Sequence, residues 1–150
     1  MLSARIPAMP ADSTRFRFLR LEVWQEGRKL YRLVSGLIRK FPRDEAYGLT
    51  SQMRRSARSV CANVAEGAGR NSDKDFAQFV EIAYGSAMEI ASDSFLALDE
   101  GYITQPELEA LLAQIGTVAA KASGLYRKLT GDAPAGAPRS ALRAPRSAAP

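Results

Sequence analysis

The chain has no histidine among its 150 residues. That removes histidine-based triads, histidine-ligated metals and imidazole acid–base chemistry near neutral pH. There is one cysteine, Cys61, which has no partner for an internal disulfide and so fits a reducing, cytoplasmic setting. Cys61 borders an apolar stripe, where a thiol is expected to be buried and inert. No apolar run approaches the ~18 residues that a membrane-spanning helix needs. The opening stretch MLSARIPAMPADSTR holds no sustained hydrophobic segment, so neither a secretory signal nor a membrane partner is expected.

What is present is enough apolar sequence, 46% of residues, for one domain with a real core. The net charge of +5 is unevenly spread. Residues 20–70 carry eleven basic against five acidic side chains, a net of +6. Residues 71–129 carry four basic against nine acidic, a net of −5. A chain polarised in this way can pair its own halves, pair with copies of itself, or offer its basic half to a polyanion.

Apolar residues recur at three- and four-residue steps in four stretches, the signature of amphipathic helices. The first, over residues 21–40, carries Val23, Trp24, Leu30, Tyr31, Val34, Leu37 and Ile38 at these steps. The Phe41-Pro42 step ends it, because a residue preceding proline is pushed out of the helical region. The second lies within residues 47–70, with Met53, Ala57, Val60, Cys61 and Val64 on one side and a stop at Gly67-Ala68-Gly69, where glycine tolerates a left-handed cap.

Ser72-Asp73-Lys74-Asp75 reads as a variant capping box opening the third helix, with Ser72 as N-cap and Asp75 reaching back. Phe76, Phe79, Val80, Ala83, Ala87, Ile90, Ala91, Phe95 and Leu98 form its stripe. Gly85 interrupts that helix at a cost of about 1 kcal/mol relative to alanine, which points to close approach of a neighbouring helix. Gly101 ends it. Thr104-Gln105-Pro106-Glu107 is a second capping box, and the fourth helix runs through Leu108, Leu111, Leu112, Ile115, Val118, Ala119, Ala122, Leu125 and Leu129 to Thr130-Gly131.

The expected fold is all-α: an up-down-up-down antiparallel four-helix bundle over residues 19–130. A flexible N-terminal arm is expected over residues 1–18. A disordered tail rich in Ala, Pro and Arg is expected over residues 131–150.

No catalytic or metal constellation emerges. Gly67-Ala68-Gly69 follows a helix instead of a strand and lacks the lysine–Ser/Thr pair of a phosphate loop. Glu89 and Asp93 share a face of the third helix, but no Glu-x-x-His motif accompanies them. Trp24, Tyr31, Tyr47, Tyr84 and Tyr102 read mainly as core or interface anchors, with base stacking on any of them the alternative that no motif supports. No enzymatic activity and no cofactor are expected.

The candidate binding residues are basic. On the first helix Arg28, Arg32 and Arg39 fall within about 40° of one another, flanked by Lys29 and Lys40. On and after the second helix, Arg54, Arg55, Arg58 and Arg70 add four more. Arg54, Arg55 and Arg58 occupy an arc of about 100° set away from the apolar stripe. Three readings stand beside each other: a solvated outer face, a site for RNA or DNA phosphates, and a surface that docks on the acidic half of a neighbouring copy. Arginine suits the second because its planar fork meets phosphate oxygens bidentately and stays charged. No base-reading motif is evident.

LEVWQEGRKL, the tract FPRDEAYGLTSQMRRSARSVCANVAEGAGRNSDKDFAQFVEIAYGS, and GYIT resemble the bacterial four-helix bundle proteins, also called the 23S ribosomal RNA intervening-sequence proteins. The resemblance covers about residues 19–129 and is most specific in YGLTSQMRR, Asn63, and AEG with its following GR. It extends to the accessory protein of diversity-generating retroelements. It implies a homopentamer and a nucleic-acid role, with a protein partner such as a reverse transcriptase by analogy. Against the family pattern, Cys61 stands where proline is usual and Arg58 where a small or apolar residue is usual. Ala91 replaces a common glutamate. Gly27 replaces alanine, which weakens the first helix slightly.

Overall fold

The computed structural model describes residues 8, 9 and 15–131. The tail expected over residues 131–150 lies outside these residues apart from Gly131, as does the arm expected over residues 1–18 apart from 8, 9 and 15–18. A 3₁₀ turn at Arg17–Arg20 leads into α1 (Glu22–Ile38). A second 3₁₀ turn at Arg43–Glu45 precedes α2 (Leu49–Ala68), followed by α3 (Asp73–Asp99) and α4 (Gln105–Thr130). No strand occurs among the described residues.

Each helix packs on its neighbours in sequence, and α4 closes back on α1. With connections this short, the order is up-down-up-down and the bundle antiparallel. The buried apolar residues form two clusters that together make the core. Leu30, Val34, Met53, Val60, Ile90, Leu111 and Val118 occupy one part of it, and Val23, Val64, Phe76, Val80 and Ala122 the rest. Each fully buried large side chain among them contributes roughly 1.5–3 kcal/mol relative to exposure.

The helix ends follow from short local motifs. Thr104 Oγ1 accepts the N–H of Glu107 at 3.4 Å, and Glu107 Oε2 accepts the N–H of Thr104 at 2.8 Å, so that capping box is complete. Ser72 Oγ accepts the N–H of Asp75 at 3.1 Å, but Asp75, one methylene shorter than glutamate, does not return the bond. Gly101 (φ 73°) closes α3 with paired bonds, Gly101 N–H to Leu98 O and Tyr102 N–H to Ala97 O, both 2.9 Å. Gly131 (φ 82°) closes α4.

Two glycine expectations need correction. Gly67 does not form a left-handed stop: it lies inside α2, and Gly69 caps that helix with a right-handed φ of −88°. Gly67 is there because α3 is so near: a Cβ on it would lie 2.6 Å from Phe76 Cδ2 and 2.8 Å from Phe79 Cβ. Gly85, expected to mark a close helix approach, faces outward, and a Cβ there would meet no atom within 4 Å. Gly27 also acquires a packing role, since a Cβ would come within 2.9 Å of Val60 Cγ1 and 3.2 Å of Cys61 Sγ. In this chain α1 and α2 approach through that notch.

Phe95, expected in the buried stripe of α3, is instead 49% exposed. Its neighbours Phe76, Val80, Ala83, Ala87 and Ile90 are buried as expected.

Candidate nucleic-acid interface

The register of α1 against α2 positions the basic residues. Gly27 faces Val60 and Cys61, and the helices run antiparallel, so Arg58 and Arg54 stand at the heights of about residues 29–34 of α1. Arg54 and Arg58 lie on the α1 side of the outer arc of α2, while Arg28, Arg32 and Arg39 lie on the outer arc of α1 nearest α2. The two arcs adjoin along one seam. Arg55 lies further round, toward α3.

Arg39, Arg54, Arg55 and Arg58 are exposed and make no ion pair with any described residue. Arg28 is half-buried, with its guanidinium 5.8 Å from the centre of the Trp24 ring. This contact holds the head group over an aromatic face near the seam.

The remaining candidates are not part of that seam. Lys29 pairs with Glu26 at 2.7 Å, and Lys40 pairs with Glu107, both on the side of α1 that packs on α4. Gln114 of α4 donates to the Glu26 carboxylate at 2.8 Å and to its carbonyl at 3.0 Å, tying that side together. Arg70 pairs with Glu66 at 2.6 Å and lies 4.6 Å over the ring of Phe79. The nine residues therefore divide: six arginines line the α1–α2 seam and its flank, and three cations are engaged elsewhere.

The inner wall between α2 and α3 is polar and close-packed. Ser56 Oγ donates to Glu89 Oε2 at 2.8 Å, and the hydroxyls of Ser59 and Ser86 lie 2.9 Å apart. Asn63 Nδ2 donates to the carbonyl and hydroxyl of Ser59, both at 2.9 Å. Beside it, burial and the neighbouring Glu89 carboxylate raise the pKa of Asp93. Cys61 is half-buried, not fully buried as expected, and this burial still pushes the thiol up to about 11, so it stays protonated near neutral pH.

Two features escaped the sequence reading. Tyr47, expected as an anchor, is 97% exposed in the loop between α1 and α2. The available signal was its position outside every periodic stripe. The other is an apolar outer face on α3, where Ile82, Met88, Phe95 and Leu96 are each between 38% and 52% exposed. Seven-residue steps, 88 to 95 and twice seven from 82 to 96, were its sequence signal. Gly85 lies within this outer arc.

No group of three or more His, Cys, Asp or Glu side chains among the described residues is arranged to hold a metal ion. Among the same residues, no helix is long and apolar enough to cross a membrane. A family model described as 23S rRNA-intervening sequence protein matches residues 20–124. No curated protein matches the chain.

Proposed function

The chain belongs to the 23S rRNA-intervening sequence protein family, and from that premise we propose a non-enzymatic, cytoplasmic bundle that self-assembles and binds RNA or DNA through its arginine seam. The observation that carries this reading is the exposure of Arg54, Arg55 and Arg58 with no ion pair among the described residues. Like charges this close repel one another, and a run of phosphates relieves the repulsion while releasing counterions. The contacts are to phosphate, so sequence preference is low or supplied by a protein partner.

Self-assembly is supported by the outer face of α3. Four large apolar side chains on one helix face lose unfavourable hydration when a second copy covers them. Gly85 would let another helix approach closely there. The family resemblance supplies the expectation of a pentamer.

A second reading has its own observation. The Glu89–Asp93 pair, in which burial and the Glu89 carboxylate raise the pKa of Asp93, lies beside the apolar face. Docking that region on the arginine seam of the next copy would stabilise both, giving a scaffold that touches no nucleic acid. Binding of labelled RNA and duplex DNA across a salt series separates the two. Phosphate binding weakens with salt at a slope of about −0.7 to −0.9 per phosphate contacted, with the assembly intact. A charge-stitched scaffold dissociates instead.

A further inference from the structure

Tyr47 combines near-complete exposure, at 97%, with a firmly held backbone. N–H groups on both sides of it are bonded: Glu45 to Pro42 O, Ala46 to Arg43 O and Gly48 to Glu45 O, each at 3.0 Å. The Glu45 carboxylate binds in two directions. Oε2 accepts the N–H of Leu49 at the start of α2 at 2.9 Å, and Oε1 accepts the Tyr102 hydroxyl at 3.1 Å. Tyr102 in turn packs on buried Phe41, with ring centres 5.2 Å apart. The loop is thus fastened to α2 and to the α3–α4 connection, and its aromatic ring projects from a fixed backbone.

An exposed ring contributes little to the fold, yet it is what an unpaired base needs. Bases in a duplex are already stacked, whereas single strands present open π-faces that stack on aromatic side chains. The surroundings suit a phosphate chain. Arg43, exposed in the same loop, has no ion pair among the described residues, and Arg39 lies at the end of α1. Arg54 follows at about 8 Å of axial rise beyond Leu49. Asp44 is the nearby opposing charge, Glu45 being engaged by Leu49 and Tyr102.

We infer that the seam takes single-stranded nucleic acid, with Tyr47 stacking on one unpaired base while the arginines hold the flanking phosphates. The inference rests on the nucleic-acid reading of the arginine seam and specifies its ligand. The hydroxyl of Tyr47 is not required; the ring is.

The test measures the affinities of labelled oligouridylate and of a short DNA duplex for the full-length protein and its Tyr47→Ala and Tyr47→Phe variants. Because Tyr47 packs on little, both variants should keep the wild-type melting temperature, and circular dichroism checks this. Tyr47→Ala is expected to weaken oligouridylate binding by roughly 5- to 150-fold, the range for loss of one base–aromatic stack. Tyr47→Phe should stay within about twofold of wild type, as stacking needs only the π-face. Duplex binding should not respond to either change. Unchanged oligouridylate affinity in Tyr47→Ala, or an equal loss on single strand and duplex, overturns the stacking inference while leaving the arginine seam in place. Failure of wild-type protein to bind either probe at low salt overturns the seam as well.

Discussion

Gly67 of α2 and Phe76 of α3 approach so closely that one added methyl would lie 2.6 Å from the phenyl Cδ2. Phe76 is fully buried and cannot swing into solvent to make room. Gly67→Ala is therefore expected to destabilise the protein by about 1–3 kcal/mol through overpacking, despite alanine's better helix propensity. Urea unfolding checks it: a lower midpoint with unchanged slope is the expected result.

The capping box before α4 should be measurable in the same way. Thr104→Ala removes the oxygen that accepts the N–H of Glu107 and should cost about 1 kcal/mol, whereas Thr104→Gly should cost only a few tenths. Glu107 adds a pH dependence. The Lys40 ammonium, then the Thr104 N–H, hydrogen-bond its ionised carboxylate and lower its pKa. Its contribution is present above the unfolded-state value and is lost as pH falls through the folded value. Stabilities of wild type and Glu107→Gln should converge in acid and separate toward neutral pH.

Asp93 has the opposite sign. Burial and Glu89 raise its pKa, so ionisation at neutral pH opposes folding of the single chain. Asp93→Asn should raise the melting temperature at neutral pH. That gain should vanish as pH falls below the unfolded-state carboxylate value, where both forms are neutral. Melting curves across pH decide it.

The α3 face gives a test of assembly. Ile82→Asp combined with Leu96→Asp places charge on two half-exposed positions without entering the core. Light scattering is expected to show a smaller species than wild type, with helical content retained. An unchanged mass would place any self-association elsewhere.

The helices, their order and most of the core were legible because a 3.6-residue apolar period is written directly into each segment. Gly101, Gly131 and the Thr104–Glu107 box were legible because caps depend on a few adjacent residues. Gly67 was misread, and the packing role of Gly27 went unseen, because their reason is a side chain on another helix, which no local pattern records. Phe95 misled for a related reason: the stripe of α3 is broad, and periodicity does not say where burial ends. The basic residues were identified as a set, but their division into a seam of arginines and three paired cations depended on which acids α4 and α2 bring near. Glu107 lies 67 residues from Lys40, and only folding joins them.

The most direct measurement is fluorescence anisotropy with labelled RNA across a salt series, comparing wild type with Arg54→Glu, Arg55→Glu, Arg58→Glu and following mass by light scattering. The expected result is salt-sensitive binding by wild type and its loss in the variant, with the assembly unchanged. No binding at low salt, together with a variant that falls to monomer, would contradict the nucleic-acid reading and leave arginines that hold copies of the chain together.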